Sequence, residues 1–215
     1  MTVPLETRSS VLTRLQMGLE ALYRVETRLP IEDFVVDEKT REQSGAARAP
    51  REQLLLRQEE DELAMALFVD AATIENLERH DPAAGLHDRN FSDFCLAVEG
   101  VSHFIYVALC AAAERSVSPL ELELQAEVDK FVCCVLLAGG AVGLRRRLYH
   151  DVRFADDLDH DERSRYQTAN VQADRYAAAL ERLFVDDERT DAMLVDVRRF
   201  YRMGLPDKLG HIARL

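Results

Sequence analysis

The run from Phe91 to Arg115, FSDFCLAVEGVSHFIYVALCAAAER, sets the architecture. Wound at about 3.6 residues per turn, it is apolar around most of its circumference, the pattern of a helix enclosed by others. Its neighbours in sequence carry the complementary pattern, apolar on one face only. Ser118, Pro119 and Glu121 write a helix start, with a capping hydroxyl, a proline in the first turn and an S-x-x-E box. Gly139-Gly140 ends that helix, and Leu120, Leu124, Val128, Phe131 and Val135 form its core stripe.

Further out the same reasoning predicts a helix over residues 9–28, where Leu12, Leu15, Leu19 and Leu22 share a face and Pro30 supplies the stop. A short helix is expected over Ala71 to Arg79, a longer one from Asp161 to Phe184, and a last one from Asp191 to Met203 closed by Gly204 and Pro206. One region departs from the helical period. Residues 53–57 and 63–69 flank the acidic group Glu59-Glu60-Asp61-Glu62 and read as two strands of a β-hairpin, roughly 53–69. Residues 40–50, with Ser44, Gly45, three alanines and Pro50, read as a mobile surface loop. The expectation is a mainly α, bundle-like single domain over residues 1–215, with about six helices and one small hairpin.

Composition narrows the function classes. A formal charge of −12 repels phosphate backbones and anionic lipid surfaces, so neither nucleic acid nor membrane is the expected partner. The N-terminal residues lack the apolar core of a secretion signal. Cys95, Cys110, Cys133 and Cys134 lie in apolar helical patterns with no C-x-x-C spacing, as small buried hydrophobes do in a reducing compartment. A cytoplasmic location is therefore expected.

Three constellations carry chemistry. On the apolar helix, Ser92, Glu99, His103, Tyr106 and Cys110 fall within about 60° of one another, forming one polar stripe. A carboxylate and an imidazole at i, i+4 can hold iron, zinc or manganese, or act as a base with its orienting partner. The next helix offers Glu121, Glu123 or Glu127 as a further carboxylate, and Glu127 is taken as the third ligand. The repeated Glu-x-x-His motif of di-iron bundles is absent; the single spacing here is Glu-x-x-x-His. The bland alternative is a buried Glu–His–Tyr network or a solvent strip.

Second, four of the six histidines precede an aspartate, at His80, His87, His150 and His160, all in expected loops or at helix starts where Asp is a natural cap. Third, Gly139 to Gly143 leads into Arg145-Arg146-Arg147, a candidate phosphate or nucleotide site, although a phosphate loop leaves a strand and this turn leaves a helix. No dinucleotide fingerprint, G-x-S-x-G or H-E-x-x-H motif occurs.

With no catalytic signature, the leading expectation is a non-catalytic interaction or adaptor domain, without cofactor, whose partner presents a basic surface or is a second copy of the chain. The alternative is a small helical metalloenzyme built on Glu99 and His103. Anion binding at Arg145 to Arg147 stands third.

Overall fold

A computed structural model describes residues 9–45, 50–59 and 62–215. In it the apolar run is α4 (Phe91–Ala112), with Phe94, Ala97, Val98, Val101, Phe104 and Ile105 essentially without solvent contact. By length and composition α4 would be apolar enough to cross a bilayer. Here α1 (Val11–Tyr23), α3 (Ala71–Arg79), α5 (Pro119–Ala138) and a small sheet wrap it instead. Full burial of each large apolar side chain contributes roughly 1.5–3 kcal/mol, so this one helix carries much of the hydrophobic driving force.

The α5 boundaries obey the local signals. The Ser118 hydroxyl accepts from the Glu121 backbone N–H, Pro119 sits in the first turn, and Gly139 takes the left-handed conformation at φ 68°. α5 lies between α4 and α6 (His160–Leu180), which opens with a reciprocal Asp159–Glu162 capping box. α7 (Thr190–Tyr201) returns to pack on α1.

The hairpin forms as expected from β2 (Glu52–Glu59) and β3 (Glu62–Val69), antiparallel with Leu54 opposite Leu67. A two-residue strand, β1 (Val35–Val36), joins β3 in parallel to give the order β1-β3-β2. Both hairpin strands pack on α4. The approach is close at Gly100, where a Cβ would lie 2.8 Å from Cγ of Glu52 and 3.0 Å from Cδ1 of Leu67.

Several boundaries differ from the sequence expectation. α1 ends at Arg24 in the left-handed region at φ 52°, six residues before Pro30, where the Arg24 and Val25 N–H groups close the last turn on the Ala21 and Glu20 carbonyls. Residues 40–43 of the expected loop belong to α2 (Glu38–Gln43), capped by Asp37; residues 46–49 of that loop lie outside the described residues. Pro206 opens a helix instead of closing one. It sits in the first turn of α8 (Leu205–Ala213), where a missing N–H breaks no helical bond.

α8 is tied to the core through polar atoms. Lys208, fully buried, donates to the Gln125 side-chain oxygen, and the Gln125 amide donates to Asp129 at 2.6 Å. Asp129 also accepts from Ser102 at 2.6 Å and from the Tyr23 hydroxyl, so one carboxylate links α1, α4 and α5. Burial pushes Asp129 up to about 6 against the pull of its three donors.

Candidate metal centre

Where α4 and α5 face the hairpin, a cleft of about 360 Å³ opens to solvent. Each wall reflects local periodicity. Glu99 and His103 are one turn apart on α4, and Glu123 and Glu127 one turn apart on α5. β2 sets Glu52 across from them, and α6 adds Glu162, Arg165 and Tyr166 at the rim. Gly100 makes the arrangement feasible, since any larger residue there would push Glu52 away from His103.

His103 is the centre of the group, with its side chain only 8% exposed. Its Nε2 lies 3.6 Å from Glu123 Oε2 and its Nδ1 lies 3.9 Å from Glu52 Oε1. Glu99, His103 and Glu123 each present one ligand atom, and the three atoms all lie within 4.8 Å of one another. Among the described residues they are the group of three or more metal-ligating side chains that draws together in this way.

Electrostatically the site is crowded with acid. Burial would lower His103, but Glu52, Glu123 and Glu99 outweigh it and hold the imidazole up at about 9. Burial raises Glu123 to about 7 despite His103 and Arg165, and it raises Glu52 as well. Glu99 is pulled down, because Lys130 and His103 overcome its own desolvation. Four buried polar atoms on the cleft wall have no hydrogen-bond partner: Glu52 Oε1, Gln53 Oε1, His103 Nε2 and Arg165 Nε. Such atoms cost roughly 1–3 kcal/mol each wherever neither water nor a ligand meets them.

The structure divides the stripe expected from sequence. Glu99 and His103 face the cleft. Tyr106 and Cys110 belong to a second network one to two turns on, where the Tyr106 hydroxyl donates to Glu121 at 2.7 Å and Arg115 reaches both Glu121 (2.7 Å) and the Cys110 sulfur (2.8 Å). Ser92 is exposed at the start of α4 and joins neither. Glu127, taken as the third ligand, faces Lys130 at 2.7 Å, and Glu123 stands beside His103 in its place. The two differ by one helical turn, so periodicity alone puts both on the right face.

The arginine turn is engaged by acids. Arg145 binds Asp174 at 2.8 Å and Glu181 at 3.4 Å, Arg146 binds Asp151 at 3.2 Å, and Arg147 binds Asp88 at 3.1 Å with its guanidinium 3.8 Å above the Phe91 ring. The His-Asp dipeptides remain apart from the cleft; His80 and His87 meet edge to face at 5.7 Å, and His150 pairs with Asp174 at 3.1 Å. Sequence reasoning missed Glu52 and Arg165. The only available signal for Glu52 was an acidic residue at the edge of a strand that must bury its inner face.

Comparison with known proteins gives no match, whether to a protein family, to a curated sequence or to a solved structure.

Proposed function

We propose that the chain is a small helical metalloenzyme, with one divalent ion held by Glu99, His103 and Glu123. What carries the reading is the His103–Glu123 pair, with buried ligand atoms 3.6 Å apart and no hydrogen bond to His103 Nε2. Two metal–ligand bonds of about 2.1 Å at a tetrahedral angle span ~3.4 Å, so one ion bridges that gap with little rearrangement. One imidazole with two carboxylates suits zinc, iron or manganese over softer ions. Three protein ligands leave positions free for water or substrate, as catalytic sites require. The ligands line a cleft at the small end of the range for metabolite pockets. At its rim Arg165 and Tyr166 are placed to orient a bound molecule, with the guanidinium 5.4 Å from the Tyr166 ring.

The test is elemental analysis of protein purified without chelator, paired with thermal unfolding. Close to one equivalent of manganese, iron or zinc is expected, reduced at least tenfold in His103→Ala and in Glu123→Gln. Added ion should raise Tm in the wild type, since a ligand that binds only the native state stabilises it. A chain that neither carries nor is stabilised by any of the three ions ends this reading.

A second reading is an interaction domain for a basic partner. It is favoured by exposed acid concentrated in two turns, Asp151, Asp156, Asp157, Asp159 and Asp161 in one and Asp186, Asp187 and Glu188 in the other. Such binding should weaken steeply as salt rises from about 50 to 300 mM, because the screening length shortens over that range. Binding that ignores salt rules it out.

A further inference from the structure

Behind the His103 group lies a second cation position that the chain fills with its own side chain. Lys130 projects from α5 with only 10% of its side chain exposed, and its Nζ sits 3.0 Å from Glu99 Oε2 and 2.7 Å from Glu127 Oε1. Glu99 therefore faces two centres, His103 and Glu123 on one side and the Lys130 ammonium on the other. The remaining oxygen of Glu127, Oε2, is buried without a hydrogen-bond partner, while the Tyr149 hydroxyl donates to the Glu127 backbone carbonyl at 3.0 Å. Four carboxylates (Glu52, Glu99, Glu123, Glu127) and one imidazole surround the two positions. That is close to the donor supply that carboxylate bundles use for two ions.

We infer that Lys130 is a built-in monovalent cation occupying the second metal position, and that it holds the centre to a single ion. The inference rests on the metal reading above. Its chemistry is simple charge substitution. An ammonium between two carboxylates at 2.7 and 3.0 Å offsets one of their two negative charges where a divalent ion would offset both, and it offers no vacant coordination position and cannot be exchanged. The His103 side is different, because the cleft opens onto it and both its buried imidazole nitrogen and Glu52 Oε1, in side chains at least nine-tenths buried, have no hydrogen-bond partner, whereas the other half lies away from the cleft lining and is filled by the ammonium, with Glu127 Oε2 its one unmet oxygen. The cage thus has one sealed half and one half open to ligand. Lys130 acts as a positioning residue: it fixes Glu99 and sets the metal count.

The experiment is manganese stoichiometry, with electron paramagnetic resonance on the same samples, for the wild type, Lys130→Ala, Lys130→Arg and Lys130→Ala/Glu127→Gln. One equivalent is expected in the wild type and in Lys130→Arg. Two are expected in Lys130→Ala, with the spectrum of a spin-coupled pair because Glu99 bridges both ions, and the Glu127→Gln change should return the count to one. A purely structural lysine would lower stability without adding a binding site. If Lys130→Ala is unfolded alone, refolding by millimolar Mn²⁺ with two ions bound supports the inference, and failure to refold overturns it. One equivalent in both wild type and folded Lys130→Ala overturns it while leaving the mononuclear site standing. No ion in any of the four proteins removes the metal reading itself.

Discussion

Lys208 is fully buried on α8, and its titration should move the stability of the whole chain. Its Nζ lies 4.5 Å from the Tyr106 ring centroid and 5.0 Å from that of Phe200, and its hydrogen-bond acceptor is the neutral Gln125 amide. Desolvation lowers the ammonium to about 7, outweighing Glu121 and Asp129 of α5, which favour the charged form; Arg115 adds to the lowering. In the unfolded chain a lysine titrates near ~10.4. Between those two values the unfolded state holds a proton that the native state has released, so unfolding takes up a proton and stability rises with pH. The slope approaches ~1.4 kcal/mol per pH unit while the native lysine is neutral and the unfolded one charged, so about 2 kcal/mol should accrue from pH 7.5 to 9. Below about pH 7 both states are charged and this contribution is gone.

The total pH profile will not show this cleanly. Burial raises the Tyr23, Tyr176 and Cys133 pKa values in the fold, so their ionisation in the unfolded chain destabilises the native state as pH climbs. The informative quantity is the difference between wild type and Lys208→Met, which removes only the one titrating group. Urea unfolding of both proteins at pH 7.5, 8.25 and 9, monitored by far-ultraviolet circular dichroism, gives that difference directly. Wild type should gain on the variant steadily across the series. A difference independent of pH would refute the reasoning, and would mean that the two ring faces and the α5 carboxylates keep the ammonium charged in the core.

Two further substitutions test the packing that makes the site. Gly100→Ala places a methyl 2.8 Å from Glu52 Cγ and 2.9 Å from its Oε1; overpacking of roughly 1–3 kcal/mol opposes about 1 kcal/mol of helix propensity, leaving a net loss in urea unfolding of up to ~2 kcal/mol. The same change should weaken manganese binding in a direct titration, because Glu52 is displaced, and unaltered affinity would exclude Glu52 from the site. Phe104→Ala removes a fully buried ring that packs 5.0 Å from Phe34 and should cost about 3–5 kcal/mol by denaturant unfolding without altering the metal ligands; a loss below ~1 kcal/mol would contradict the central place given to α4.

The elements legible in the sequence were those whose signal is local. α4 showed itself by being apolar all round, α5 by Ser118-Pro119 and Gly139, and the hairpin by a change of period on either side of an acidic group. What stayed hidden depends on contacts distant in sequence. β1 is two residues long and exists only because Val35 and Val36 find Leu67 and Phe68. α8 was hidden by Pro206, which stops a helix in its interior and starts one in its first turn; the residue alone does not say which. The turns at Arg146–His150 and Glu181–Val185 widen to π geometry and rotate the facing of the residues beyond them, which no fixed 3.6-residue wheel can anticipate. For the site, Glu99 and His103 could be paired from spacing. The choice between Glu123 and Glu127 needed the position of Lys130, and Glu52 arrives from 47 residues before Glu99 in the chain, by way of the hairpin.

The placement of acid here runs against the fold's interest, and that is what gives it meaning. Asp129 shows how a buried carboxylate is held when its bonding is met within the fold: it takes three donors, from Ser102, Tyr23 and Gln125. Elsewhere on α4 and α5 the chain sets Glu99 and Glu123 against the cleft and Glu127 behind them beside Lys130, and the hairpin adds Glu52. For these four, Lys130, His103 and Arg165 supply fewer strong bonds than the carboxylates can accept. Leucines in the same places would have stabilised the fold at least as well, since well-packed apolar residues commonly match or exceed a buried ion pair. The chain instead keeps a glycine at position 100 and lays a hairpin strand across it, which adds one more carboxylate to the group. If the proposed divalent ion binds, it relieves this frustration, and selection for binding then accounts for carboxylates that selection for stability alone would have removed.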